Sequence, residues 1–214
     1  MAGNFEEIQQ RFVQMLEDGR HIFDASANAL VGGTDPEAIR ADLFATDRRI
    51  NETEQELRRL IVVHGSVHGA PSFPALLVTM SVAKDAERIG DYAKNFYDLV
   101  KYGADFEDAP DHELLADYRD RVSNLLSDAA ETFQNRDEER ARALIAQADS
   151  FLDEYDAQVK AASQSTGPAS DAVARALYFR FLKRITAHVM NFLTSLVLPV
   201  DRLDYYDETK DDRA

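Results

Sequence analysis

The sequence of 214 residues contains no cysteine and no tryptophan. The absence of cysteine excludes disulfide bonds, thiolate metal sites and cysteine nucleophiles. Only nine glycines and six prolines interrupt the chain, which favours long continuous elements. Basic residues are also few, because 24 Lys and Arg stand against 39 Asp and Glu and give a formal net charge of −15. A surface with this charge repels a phosphate backbone, so nucleic-acid binding is not expected.

Long apolar runs are missing as well. The most apolar stretch, Phe73 to Ala83, contains a proline and polar residues and is far shorter than the ~20 residues that a membrane-spanning helix needs. The first ten residues carry acidic side chains where a secretory signal has a basic segment, and no apolar segment follows them. We therefore expect a soluble, cytoplasmic protein that does not span the membrane.

The pattern that is present is helical. Glycine and proline cluster at a few points, and between them apolar residues recur at spacings of three and four. This predicts an all-α fold of six long helices. Their expected positions are 4–30, 35–64, 72–102, 111–134, 136–162 and 169–205.

One loop in mid-chain, at residues 103–110, has a composition suited to a boundary. It leaves three long helices on either side. The sequence therefore predicts two tandem three-helix bundles, at residues 1–105 and 110–205, followed by an acidic tail at 206–214.

The two halves also resemble each other in sequence. The segment Glu87 to Phe96, ERIGDYAKNF, aligns without gaps on Lys183 to Phe192, KRITAHVMNF. In a weaker pair, residues 47–54 and 149–156, acidic or amide side chains recur at the first, fifth and eighth positions. Offsets of 96 and 102 residues separate the two pairs and are each close to half the chain. They predict an internal repeat of about a hundred residues.

Two segments of the N-terminal half carry a resemblance to a known family. The run Asp85 to Asn95, DAERIGDYAKN, follows a proline that opens the same predicted helix, and Asp47, Asn51 and Glu54 form a D-xxx-N-xx-E pattern on the preceding one. Both segments are similar to motifs of the PhoU family of phosphate-signalling proteins. The resemblance implies two three-helix bundles in tandem. It also implies metal ions bound at paired E/D-xxx-D motifs, and restraint of phosphate uptake and of the starvation response through a phosphate transporter and its sensor kinase.

The chain departs from the family pattern at one further place. After Pro71 the family usually has Asp-Leu-Arg four residues on, whereas this chain has Ala75, Leu76 and Leu77. The role of that Asp–Arg pair in relatives therefore does not transfer to this chain.

Glu87 and Asp91 are the candidate metal ligands that the residues themselves suggest. They are four apart, which places both carboxylates on one helix face. Paired carboxylates are hard oxygen ligands suited to iron, manganese, magnesium or calcium. On a helical wheel, however, this face lies opposite the apolar stripe centred on Ile89. Such a position is as typical of a solvated acidic pair as of a metal site.

The resemblance adds Asp47 and Asn51 to the same site, with iron, manganese, zinc or magnesium as the candidate metal. Asp47 and Glu54 lie close to the apolar stripe of their helix and need a partner. The candidate partners of these two carboxylates are Lys84, Arg88 or a bound cation.

The second half lacks the acidic pair. Lys183 stands at the position of Glu87, and Ala187 at that of Asp91. A lysine there neutralises nearby carboxylates internally, so we expect at most one family-like metal site, in the N-terminal half. His64 and His68 are four apart, but the glycines around them predict a solvated helix end rather than a ligand pair.

No catalytic motif stands out, since the sequence has no G-x-S-x-G, no P-loop and no Glu-x-x-His pair. The resemblance implies a non-enzymatic regulator of phosphate uptake and starvation signalling. Its partners would be the cytoplasmic component of a phosphate transporter, a sensor histidine kinase, or both, with a second copy of the chain as a further candidate. The alternatives are an accessory of a sodium-coupled or low-affinity phosphate transporter and, from another class, an all-α metal-dependent hydrolase.

Overall fold

The computed structural model describes residues 3–203, and the acidic tail predicted at 206–214 lies outside this range. Six helices confirm the all-α fold, and the described range contains no strand. A short 3-10 turn, Ala70–Ser72, lies between the second and third helices, and another, Val200–Arg202, follows the sixth. The helices are α1 Gly3–Val31, α2 Pro36–His68, α3 Phe73–Lys101, α4 His112–Asn135, α5 Glu138–Ser163 and α6 Ala169–Val197.

Aspartate caps start the second helix of each half. The Asp35 carboxylate accepts a hydrogen bond from the Glu37 amide, and proline occupies the first position of α2. In the second half, Asp137 accepts from the Arg140 amide at the start of α5. Both caps satisfy amides that have no partner within the first turn of a helix.

Two predicted helix ends are wrong. Helix α6 stops at Val197 instead of residue 205, because Pro199 disfavours helical geometry at the preceding residue and Leu198 is extended, with φ −119° and ψ 151°. Helix α2 continues through Gly65 to His68. His64 is buried, so the predicted solvated helix end is also wrong at this position.

Gly65 has a packing role that explains the longer helix. A Cβ atom at this position would lie 3.2 Å from Leu76 and 3.3 Å from Phe73. The missing side chain therefore lets the start of α3 approach the end of α2. Gly90 acts similarly further along α3, where a Cβ would lie 2.8 Å from Cδ1 of Ile50 on α2.

The helices of the two halves are in register with the sequence repeat. Helices α3 and α6 are both 29 residues long, and every position of α6 follows its counterpart by 96 residues. Glu87 and Lys183 are accordingly both the fifteenth residue of their helices. Helices α2 and α5 begin 102 residues apart, the offset of the second sequence pair.

All six helices share one hydrophobic core. Within each half the three helices pack together, and α1 packs on α4 and α3 on α6 between the halves. Phe12, Phe133 and Phe192 meet at this junction, with ring centroids 4.5 to 5.7 Å apart. The loop between α3 and α4 lies at the predicted boundary, but the core continues across it. The division into two domains stays a prediction.

Helices α3 and α6 cross at two equivalent residues. Tyr92 and His188 are 96 positions apart and stack on each other, with ring centroids separated by 5.6 Å. His188 Nδ1 also lies 2.8 Å from Asp85 Oδ1, and the counterpart of Asp85, Phe181, contacts Tyr92 at 6.3 Å. These reciprocal contacts place a pseudo-twofold axis between Tyr92 and His188.

Because the core crosses the junction, we expect the chain to unfold in a single cooperative transition. Phe192→Ala removes a fully buried ring from the junction and should lower the free energy of unfolding by about 3–5 kcal/mol. Urea unfolding, followed by circular dichroism and by tyrosine fluorescence, measures the number of transitions and the free energy of unfolding.

The matched control is Val173→Ala on the same helix, where the side chain is exposed and the expected change is within about 0.5 kcal/mol. Two separate transitions, of which Phe192→Ala shifts only one, would contradict a shared core.

Candidate functional site

The candidate site lies on the facing sides of α2 and α3. Asp47 of α2 is mostly buried, and its Oδ1 atom accepts a hydrogen bond from Lys94 Nζ of α3 at 2.8 Å. The same ammonium group lies 3.6 Å from Oδ1 of Asp91. Lys94 therefore joins two of the predicted metal ligands. It was not among the predicted site residues, although its spacing of three from Asp91 was a usable signal.

The pKa of Lys94 is raised above its ordinary value. Burial lowers this pKa, but the hydrogen bond and charge of Asp47, together with the charge of Asp91, outweigh that effect. Lys94 is therefore protonated at neutral pH. Because the folded-state pKa is the higher one, the stabilisation is fully present below the ordinary lysine pKa and is lost only as pH rises through the folded-state value.

Glu87 does not lie on a solvated face, so that expectation is wrong for this residue. Its side chain is buried, and Oε2 lies 2.6 Å from Lys84 Nζ. The reason is that α3 packs against α1, α2 and α6, which bury more of its circumference than a single apolar stripe does. Asp91, one turn later, is half-exposed.

Asn51 and Glu54 make contacts within α2. The Asn51 amide group donates to the backbone oxygen of Asp47 at 3.1 Å, and Glu54 lies 2.7 Å from the guanidinium of Arg58. The candidate partners for Asp47 and Glu54 were Lys84, Arg88 or a bound cation. In the structure Asp47 pairs with Lys94 and Glu54 with Arg58, so neither Lys84 nor Arg88 is the partner.

Arg88 lies beside this cluster on the outer surface of α3. It is exposed and has no hydrogen-bond or ion-pair partner within residues 3–203. A groove of about 390 Å³ runs along this face. The residues that line it are Lys84, Arg88, Asp91, Tyr92, Lys94 and Asn95.

The geometry shows how each carboxylate is neutralised. Asp47 and Asp91 share Lys94, and Glu87 has Lys84. Within the described range, no three His, Asp or Glu side chains are grouped so that they could hold a metal ion. The side chains as arranged here do not fit a metal. Metal binding by Glu87, Asp91, Asp47 and Asn51 stays a prediction that requires the lysines to move.

The second half uses the same kind of pairing. Lys183 Nζ lies 2.5 Å from Asp156 Oδ2 of α5, so the lysine that replaces Glu87 binds a carboxylate of the neighbouring helix. Ala187 supplies no polar atom at the position of Asp91. In each half, a lysine of the third helix therefore forms an ion pair with an aspartate of the second helix.

A family model and two solved structures resemble this chain. Residues 12–100, which contain the cluster, match the model of the PhoU domain. The chain contains a PhoU domain. This confirms the resemblance drawn from the motifs around Asp47 and Glu87. No curated protein sequence matches the chain.

The likeness to solved structures extends over more than nine tenths of the chain, beyond the PhoU domain of the first half. PhoU from Pseudomonas aeruginosa is 19% identical, with a TM-score of 0.75 over 94% of this chain and 96% of that one. The phosphate transport system regulatory protein PhoU from Streptococcus pneumoniae is 16% identical, with a TM-score of 0.77 over 92% and 93%. At these identities the likeness establishes the fold alone.

The lysine between Asp47 and Asp91 should stabilise the PhoU domain. Lys94→Met leaves both carboxylates without their shared cation, and we expect the free energy of unfolding to fall by about 1–3 kcal/mol. Adding Asp47→Asn removes the more buried charge, so the double variant should lose less than the sum of the two single changes.

Lys101→Met on the same helix is the control. Lys101 is exposed, and its ion-pair partner at 3.4 Å, Asp98, is exposed as well. Its expected cost is within about 0.5 kcal/mol. Equal costs for the Lys94 and Lys101 variants would show that Lys94 is not a structural cation. Urea unfolding of the parent, the two single variants, the double variant and the Lys101 control measures these free energies.

If the predicted ligands of the PhoU domain bind metal, Glu87→Ala combined with Asp91→Ala should abolish the binding while the protein stays helical. The measurement is elemental analysis after incubation with iron, manganese or zinc. An equivalent acidic pair on α4, Glu113 and Asp117, serves as the control when both are changed to Ala. The absence of bound metal from the parent protein would leave the acidic pair without this role.

Proposed function

We propose that the chain is a cytoplasmic, non-enzymatic regulator of phosphate uptake and of phosphate-starvation signalling. The observation that carries the proposal is the PhoU domain at residues 12–100. The likeness in fold to a protein described as a phosphate transport system regulatory protein adds support. None of the helices in the described range is long and apolar enough to cross a bilayer, so a role in transport would be exerted on another protein.

Regulation through protein contact fits the chemistry of the surface better than catalysis does. An all-α metal-dependent hydrolase needs several carboxylates that converge on a metal, and each carboxylate of the candidate site faces a lysine instead. The acidic surface implied by a net charge of −15 suits a partner with a basic face. Arg88, exposed at the edge of the α3 groove, offers a specific contact for an acidic group of that partner.

The proposed partners are the cytoplasmic component of a phosphate transporter, a sensor histidine kinase, or both. An accessory role for a sodium-coupled or low-affinity phosphate transporter is the alternative, and it requires the same fold with a different partner. Purification of tagged protein from phosphate-replete cells, with identification of the bound transporter type, separates these two cases.

We expect the N-terminal half to carry the contact with the partner. Arg88→Glu reverses a charge on the groove without breaking an ion pair of the described structure. In cells that lack the native gene, this variant should therefore fold but fail to repress starvation genes in phosphate-rich medium. Glu87 is unsuitable for such a test, because it is buried against Lys84 and its reversal would perturb packing.

The control is Arg184→Glu, at the equivalent exposed position of α6. Repression should persist in this variant at near the parent level. If Arg184→Glu releases repression and Arg88→Glu does not, the contact lies on the C-terminal half. If deletion of the gene leaves starvation genes repressed, the proposed function itself is wrong.

A further inference from the structure

The end of the α2–α3 hairpin exposes a group of apolar side chains, which we call the apolar tip. Its residues are between 48% and 70% exposed. A groove of about 300 Å³ between the two helices, lined mainly by apolar side chains, continues the patch. The apolar tip consists of Val62, Val63, Val67, Phe73 and Leu77.

These side chains lie close to the turn that joins the two helices. Val62 is six residues before the end of α2, and Leu77 is four residues after the start of α3. At a rise of 1.5 Å per residue, the whole group lies within about 9 Å of the helix ends. That depth matches the apolar layer that interfacial segments insert into a bilayer, about 5–10 Å.

Basic residues follow the apolar layer on both helices. Arg58 and Arg59 on α2 and Lys84 on α3 lie about 14–17 Å from the helix ends, by the same rise. No Asp or Glu occurs between residues 57 and 84, although acidic residues number 39 in the chain. Going inward from the turn, the hairpin therefore presents apolar groups first and cations second.

The cations of this layer face outward. Arg58 and Lys84 have carboxylate partners, Glu54 and Glu87, but the carboxylates are buried while the two cations are about half-exposed. Arg59 is exposed and makes no ion pair within the described range. The hairpin's own surface beside the apolar tip is consequently basic, even where its charges are paired.

We propose that the apolar tip binds the surface of an anionic lipid bilayer. The five side chains would enter the interface, and Arg58, Arg59 and Lys84 would lie at the level of the lipid phosphates. Apolar burial and attraction to anionic headgroups then act together, which is the combination that holds peripheral segments on membranes. This binding does not depend on the proposed regulatory function.

The net charge of the chain does not prevent this contact. At physiological ionic strength the Debye length is about 8 Å, and on this hairpin the first carboxylates stand about 18 Å from the turn. Acidic residues of neighbouring helices near this end of the bundle include Glu6, Glu7 and Glu138. Glu7 and Glu138 lie 3.7 and 3.8 Å from Arg11 and Arg142, and salt screens the charges that remain.

The patch is less suited to a second copy of the chain. A symmetric contact between two tips would leave the three cations of each copy without a partner of opposite sign. An anionic bilayer has the complementary sign. Self-association is accordingly an outcome for the experiment to detect rather than the expected result.

The other hairpin provides an internal control. Val173 is the counterpart of Leu77 and is likewise 57% exposed. Its surroundings differ, because the turn before α6 consists mainly of polar residues and Asp171 and Arg175 pair beside it. Val173 lines a groove with Tyr102 and Leu177, but Asp105 and Asp171 line it as well. This apolar surface therefore has acidic rather than basic neighbours and should add little to the binding of an anionic membrane.

Sedimentation with vesicles tests the proposal. The full chain should bind vesicles of phosphatidylglycerol and phosphatidylethanolamine, and bind phosphatidylcholine vesicles weakly. Leu77→Asp should lower the affinity for the anionic vesicles about tenfold or more, whereas Val173→Asp should leave it unchanged. Replacing Arg58 and Arg59 with Gln should weaken binding and reduce its dependence on salt.

The lack of tryptophan in the chain allows a second measurement. The emission of a Phe73→Trp variant should shift to the blue on addition of anionic vesicles, and that of Val173→Trp should not. Equal losses from the Leu77 and Val173 variants, or no binding of the parent to anionic vesicles, would overturn the proposal. Self-association that Leu77→Asp abolishes, without vesicle binding, would assign the tip to contact between copies instead.

Discussion

The packing of α3 against α6 is the contact on which the rest of the molecule depends. It joins the two three-helix groups into one core, and Tyr92 and His188 stack where the helices cross. Because α3 is covered by α1 and α2 on one side and by α6 on the other, it has little solvated circumference. That is why Glu87 is buried and requires Lys84, and why the exposed part of the motif is limited to the side that carries Arg88 and Asp91.

The regular features of the fold were predictable from local sequence. Sparse glycine and proline gave the six helices, Asp35 marked the start of α2, and the ERIGD segment revealed the repeat that the register of α3 and α6 bears out in structure. The errors have local causes too. Pro199 ends α6 early, and Gly65, which looked like a helix terminator, instead permits the close approach of Phe73.

The site was harder to predict, because its partners are set by packing between helices. A helical wheel placed Glu87 opposite the apolar stripe, but it contains no information about how many neighbours a helix has. Lys94 stands next to Asn95 within the recognised segment, yet only the approach of α2 shows that it binds Asp47. Ion pairs across helices depend on rotations of a few tens of degrees, which periodicity alone does not determine.

The stacking of Tyr92 on His188 has a consequence for the origin of the chain. In a dimer of two identical three-helix units, a residue on the twofold axis meets a copy of itself, so a tyrosine would face a tyrosine and a histidine a histidine. Joining both units in one polypeptide removes that restriction. One position can then be a tyrosine and the other a histidine held by Asp85, a complementary pair that a symmetric dimer of identical units does not form on its axis.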